Sequence, residues 1–211
     1  MSISSEQLLM AYSSGIFPMA ESQDDPELFW VDPRRRGVLP LDGFHISKSL
    51  ARRLRRPDYS VALNHDLAAV LDACADREET WINGTIRELM LSLHKLGHVH
   101  SLEIRRDGHL VGGVYGVSIG GAFFGESMFS RATDGSKIAL AWLIDHLRRC
   151  EFRLFDAQFI TPHLESLGAV EISRADYRRQ LSEAISVETS IHAKKLETGR
   201  QALVQRMIHT S

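Results

Sequence analysis

Apolar and polar positions alternate most regularly between His98 and Ser130. Leu102 and Ile104 precede Asp107-Gly108, and Leu110 and Val114 follow it. Asp-Gly between alternating apolar runs signals a hairpin, because a type I′ turn needs positive φ at its central residues. Gly120-Gly121 marks a second reversal for the same reason. Three antiparallel strands are therefore predicted, the third passing through Gly125-Glu126-Ser127. The period then lengthens. Ile138, Leu140, Trp142, Leu143 and Leu147 describe an amphipathic helix over 136–150. A strand over 153–159, a short helix over 162–167, a strand over 169–172 and a helix over 174–185 follow.

Upstream, Ser4 or Ser5 with Glu6 and Gln7 starts a helix that carries Leu8, Leu9 and Tyr12 and stops at Gly15. Residues 15–33 hold three prolines and several aromatics and read as a packed loop. A short strand over 38–40, a basic helix over 45–55 ended by Pro57 and a strand over 59–63 come next. Asn64 or Asp66 caps a helix reaching Cys74, and Thr85 caps one running to Lys95, stopped by Gly97. The fold class is α/β with a mixed sheet, and a meander followed by a helix and a further strand is the chassis of an acyl-transfer fold. Three parts are expected: a small amino-terminal element (1–36), a main domain (37–185) and a polar tail (186–211) forming a peripheral helix.

Composition adds compartment. No apolar run approaches the roughly 20 residues of a membrane span. The start MSISSEQLLMAY lacks the basic opening and continuous apolar core of a signal peptide. Cys74 and Cys150 show no metal-ligand spacing, so reduced thiols and a cytoplasmic location are expected. His94, His98 and His100 cluster in sequence, but Gly97 interrupts them and no acid or Cys stands at ligand spacing, so no metal is expected.

Charge is unevenly spread. The formal net charge is −2, yet Arg34, Arg35, Arg36, Lys48, Arg52, Arg53, Arg55 and Arg56 face only Asp42 across residues 34–56. This is either a solvated helix face or the footprint of a phosphate backbone. Lys48, Arg52 and Arg56 at i, i+4 repel one another until a partner neutralises them, which favours the polyanion.

Asp156 and Gln158 sit at i, i+2 on a predicted strand and share a face. Between Phe155 and Phe159, they can hold an incoming amine together, or cap a neighbouring loop. Glu126 follows Gly125, which lets a backbone or substrate come close.

The stretches LLMAYSSGIFP, FHISKS, DREETWI, LHKLGHVHSLEI, LVGGVYGV, FFGESMFSR, FDAQF and SLGAVEISRADY run in order over more than four-fifths of the chain. Together they resemble the leucyl/phenylalanyl-tRNA–protein transferases. The resemblance implies transfer of Leu, Phe and, less, Met from aminoacyl-tRNA to the α-amine of proteins beginning with Arg or Lys, feeding bacterial N-end-rule degradation. It implies a domain similar to GCN5-type acetyltransferases, with helices on both faces of the sheet. It gives Asp156 the role of orienting or deprotonating the amine and Gln158 that of a hydrogen-bonding relay. Glu126 would meet the cationic acceptor, unless it pairs with Arg131. The donor pocket would be drawn from Trp81, Val114, Phe123, Met128, Leu140 and Phe155, and the terminal adenine would stack on Tyr12 and Trp81. Lys48, Arg52, Arg53, Arg55 and Arg56 would hold the tRNA backbone. Two positions depart from the family pattern: Met19, where an aromatic often follows Ile-Phe-Pro, and Val114, where a Met is sometimes found.

An acetyltransferase of this kind grips the pyrophosphate of coenzyme A on a glycine-rich loop. Here Phe129–Ser136 holds one glycine and an aspartate, Asp134. The expectation is therefore no coenzyme A, metal or ATP, with aminoacyl-tRNA as substrate and a monomer as the working unit. The competing readings are a coenzyme-A-dependent N-acetyltransferase and, if the Asp156/Gln158 face is buried, a non-catalytic RNA-binding module.

Overall fold

The computed structural model describes residues 3–208. Helix α1 (Ser5–Ser13) opens on a capping box: the Gln7 N–H donates to Ser4 Oγ, and the Gln7 side chain accepts from the Ser4 N–H. Residues 15–33 are not the irregular loop expected, because β1 (Phe17–Met19) pairs antiparallel with β2 (Phe29–Val31). A two-stranded ribbon leaves both strands as edges, where Pro18 costs no ladder hydrogen bond. Next come β3 (Arg35–Val38), α2 (Lys48–Leu54), β4 (Ser60–Leu63), α3 (Leu67–Ala75) and α4 (Gly84–Lys95). Asn83, not Thr85, caps α4, its side chain accepting from the Ile86 N–H at 2.8 Å.

The meander is β5 (Val99–Arg106), β6 (His109–Ile119) and β7 (Ala122–Ser130). Asp107 and Gly108 take φ of +51° and +79° as a type I′ turn requires, whereas only Gly120 is positive at the second turn. The remaining elements are α5 (Gly135–Arg149), β8 (Leu154–Gln158), α6 (Pro162–Glu165), β9 (Val170–Ser173), α7 (Arg174–Ile185) and α8 (Arg200–Ile208).

One seven-stranded sheet runs β4-β5-β6-β7-β8-β3-β9. Its pairs are antiparallel except β7–β8, so the sheet is mixed. Helices cover both faces. Leu50 and Leu54 of α2, most of α5, and Leu203, Val204 and Met207 of α8 form the core on one side. Leu8 and Tyr12 of α1, with α3, α4 and Tyr177 and Leu181 of α7, form it on the other. The tail is thus not peripheral: Ile191, Leu203 and Val204 are fully buried, and Arg206 donates twice to Asp145 of α5, at 2.7 Å each. The scattered apolar positions of a polar segment were its buried face. Among the described residues no helix is long and apolar enough to cross a membrane.

Two irregularities shape the site. Strands β7 and β8 pair only from Ala122–Phe124 to Leu154–Asp156 and then part. Just beyond, Gly116 faces Gly125 while Tyr115 faces Ser127, so Glu126 is an extra residue bulged out of the ladder.

Candidate active site

Where β7 and β8 part, the gap closes into a cavity of about 80 Å³ lined by Val114, Gly125, Glu126, Ser127, Met128, Leu140, Phe155, Ala157 and Leu164. Gly125 is needed here: a Cβ would stand 2.8 Å from the Phe155 ring, which forms one wall. A larger groove of about 520 Å³ runs along Val38–Asp42 and Glu151–Phe155, but it holds neither Glu126 nor Gln158.

Glu126 is 7 % exposed and supplies the cavity's one carboxylate. Its Oε1 accepts from the Tyr12 hydroxyl at 2.9 Å and from Gln158 Nε2 at 2.8 Å. Its Oε2 is buried and has no partner among the described residues. Burial pushes this carboxyl up to about 8, with Asp156 adding to the shift and the hydrogen bonds from Tyr12 and Gln158 opposing it. A carboxyl so placed can accept a proton near neutral pH.

Asp156 presents the opposite case. It is fully buried and is not on the cavity. Arg36 Nε donates to Oδ1 at 2.9 Å and Nη2 to Oδ2 at 2.6 Å, while the Tyr177 hydroxyl reaches Oδ2 at 2.7 Å and the Gln158 N–H reaches Oδ1 at 2.8 Å. Asp156, expected beside the substrate amine, thus stands behind Gln158: both oxygens accept two donors each, and the side chain faces α1 and α7. Arg36 is enclosed as tightly, with its guanidinium 4.6 Å from the Phe17 ring centre and 4.4 Å from that of Tyr177.

Gln158 joins the two carboxylates, its N–H on Asp156 and its side chain on Glu126. It does so at a φ of +61°. A non-glycine residue in that region carries roughly 1–2 kcal/mol of strain, held here by both hydrogen bonds. The 156/158 face is therefore buried, the condition set above for a non-catalytic module, but it backs directly onto a carboxylate in a cavity.

Other expected site residues scatter. Val114, Met128, Leu140 and Phe155 line the cavity. Phe123 lies off it, stacked on Phe155 at 5.5 Å. Trp81 packs with the core on the far side of the sheet, away from the cavity. Tyr12 is fully buried, tilted against Phe124 and bonded to Glu126, so its ring has no open face for a base; the hydroxyl, not the ring, is what the site uses. Glu126 does not pair with Arg131, which reaches Asp76 at 3.3 Å instead.

The basic segment also divides. Lys48, Arg52, Arg55 and Arg56 are exposed on or just after α2. Arg53 is held by Asp58 at 2.6 Å and lies over Tyr59, Arg35 pairs with Glu171, and Arg36 is interior. The ring nitrogens of His94, His98 and His100 engage Val99 O, Ser118 O, and Asn64 with Ser118 Oγ. Both cysteines are free and buried.

Sequence reasoning missed Arg36, Tyr177 and the orphaned Tyr115 hydroxyl. One signal was available: Arg36 shares a strand face with Val38 (two residues on), a position that points inward.

Residues 38–182 match the family described as leucyl/phenylalanyl-tRNA protein transferase, and residues 1–34 match its amino-terminal domain. A protein of Cereibacter sphaeroides named leucyl/phenylalanyl-tRNA–protein transferase is 62% identical, over 97% of this chain and 95% of its own. One of the same name from Ruegeria pomeroyi is 61% identical over the whole of both chains. Among solved structures, a GCN5-related N-acetyltransferase-like protein from Streptococcus suis aligns with 79% of this chain and 65% of its own, at 16% identity and a TM-score of 0.35, too slight a likeness to argue from. On the family match and these identities, the chain belongs to the leucyl/phenylalanyl-tRNA–protein transferase family of enzymes.

Proposed function

We propose that this protein moves leucine, phenylalanine and, less well, methionine from aminoacyl-tRNA onto the α-amine of proteins that begin with Arg or Lys, and that Glu126 handles the proton. The observation that carries the reading is the unpartnered Glu126 Oε2 beside an apolar slot in the sheet. The ester is already activated, so neither ATP nor coenzyme A is needed. The amine nitrogen attacks the ester carbonyl, its proton passes to Glu126, the bond from carbonyl carbon to ribose oxygen breaks, and the leaving oxygen takes a proton back. A carboxyl near 8 is matched to an α-amine of about 7.7–8, which makes the transfer from the amine nearly level in energy, while the return to the far more basic ribose oxygen runs downhill. Gln158 and Tyr12 hold Glu126 in line, and Asp156 with Arg36 holds Gln158. Holding reactants this way is the larger part of the catalysis.

The donor side chain fits between Met128, Leu140 and Phe155, where an unbranched thioether adapts to Leu, Phe or Met. Phe159, next to Gln158 and 46 % exposed, offers an open ring face for the terminal adenine. Lys48, Arg52, Arg55 and Arg56 supply cations for the tRNA backbone. For the acceptor, Asp76 and Glu78 line a second cavity with Arg77, whose Nη2 donates to Ser127 Oγ at 2.7 Å; these acids suit a cationic first residue. The product, a protein with a bulky apolar first residue, suits a degradation route that reads amino termini. A cytoplasmic setting follows from the tRNA substrate. Coenzyme A is disfavoured by Asp134 at the start of α5 and by Ser130 Oγ, which already accepts the Ser136 N–H at 2.7 Å.

The test is incorporation of labelled Leu or Phe from its tRNA into peptides beginning with Arg or Ala. Transfer to the Arg peptide without ATP or coenzyme A is expected. Dependence on coenzyme A, or equal use of both peptides, overturns the corresponding part.

A further inference from the structure

We infer that Tyr115 is a positioning residue for Glu126, its hydroxyl donating to Glu126 Oε2 when that carboxyl gives up its proton. Tyr115 is fully buried, and its hydroxyl has no partner among the described residues. Neither has Glu126 Oε2. The two residues flank the same bulge on adjacent strands, Tyr115 standing opposite Ser127. Buried side-chain polar atoms are nearly always satisfied, so two orphans on residues flanking one bulge point to a bond made in another protonation state. The two oxygens are not in bonding geometry as they stand, so the bond is made when the Glu126 carboxylate turns its unheld Oε2 toward the phenol.

The surroundings leave this task to Tyr115. From α1, Tyr12 bonds Oε1; from β8, Gln158 bonds Oε1 while Asp156 is engaged with Arg36 of β3. Near the end of α3, Cys74 is a thiol pushed up to about 12 by burial, and Arg77 is held by Cys74 O and Ser127 Oγ. Burial and the neighbouring Glu126 push the Tyr115 phenol well up, so it remains a donor across the working range.

The inference rests on Glu126 as proton acceptor, and the experiment separates the two. Protein labelled with ¹³C at glutamate carboxyls is titrated by NMR, the Glu126 resonance being the one lost in Glu126→Gln. Tyr115→Phe should raise its midpoint by about one to two pH units, the worth of one hydrogen bond to a charged group. Transfer at pH 7 should fall roughly tenfold and recover toward pH 9. Difluorotyrosine at position 115, a stronger donor, should lower the midpoint and covers the case of a poorly folding Phe variant. An unmoved midpoint in both proteins overturns the inference. If Glu126→Gln instead transfers at the full rate, the catalytic reading fails on its own, while the midpoints still decide whether Tyr115 serves Glu126.

Discussion

Asp156 and Glu126 are both buried carboxylates, tied to the same glutamine from neighbouring strands, yet the protein treats them in opposite ways. Asp156 has a bidentate arginine, a phenol and a backbone N–H, so each of its oxygens is filled. Glu126 has two donors on one oxygen and, among the described residues, none on the other. A saturated buried ion pair is a piece of scaffold, because removing one partner strands the other's charge. A half-satisfied carboxyl is costly to keep and is retained where its open lone pair does something. The same division runs through the arginines: Arg53 is occupied, while Arg52, Arg55 and Arg56 are open.

The largest expected effect is on the scaffold side. Arg36→Met takes the guanidinium from Asp156 and leaves it only Tyr177 and the Gln158 N–H, and should cost about 3–5 kcal/mol of stability by urea unfolding. If stability held while transfer vanished, Asp156 would be a working group and the contrast would break. Next, Glu126→Gln should slow transfer on the order of 100-fold, about 2.7 kcal/mol, with the fold intact. It should also change the pH dependence of stability. A carboxyl raised to about 8 in the folded state binds its proton more tightly there than when unfolded. It therefore favours the fold below about pH 4.5, and that contribution is lost as pH climbs through 8. The Gln variant lacks this loss, so its stability should fall less between pH 5 and 9, by on the order of 3 kcal/mol. Equal slopes in the two proteins would falsify the raised carboxyl.

A smaller effect sharpens the view of the slot beside Glu126. Val114→Met adds bulk at its wall and should cut kcat/KM for Phe-tRNA against Leu-tRNA roughly tenfold, as expected of added methylenes in an apolar pocket. Smallest is the arginine comparison. Arg52→Ala should lower the salt slope of tRNA binding by about one, and Arg53→Ala should leave it unchanged while weakening the hold of α2 on Asp58. Equal slopes for the two variants would return Arg53 to the binding face.

Local pattern carried much of the fold. The meander, its Asp-Gly turn and the bounds of α7 follow from periodicity and caps that act within a few residues. What the pattern could not carry depended on partners far along the chain. Arg36 reads as one more cation in a basic run; only Asp156, 120 positions on, shows that it belongs inside. Tyr12 reads as an exposed stacking ring, because nothing nearby in sequence announces its hydroxyl bond to Glu126. Residues 186–211 read as polar overall, and the burial of Ile191, Leu203 and Val204 depends on where α5 lies. Glu126 was marked as a candidate, but the reason for its importance, an extra residue in β7, is a matter of register.

That extra residue also explains why Phe123 and Met128, an odd number of positions apart, both face α5. Were Glu126 held in the ladder instead of bulged from it, everything downstream in β7 would change sides, and Met128 would exchange places with Phe129 in the opposite core. The bulge thus sets Glu126 out of the ladder while Met128 keeps its place on the cavity wall. A deletion of Glu126 would therefore take away the carboxylate alone and leave Met128 where it stands, whereas drawing the bulge back into the ladder would turn the whole end of β7 over.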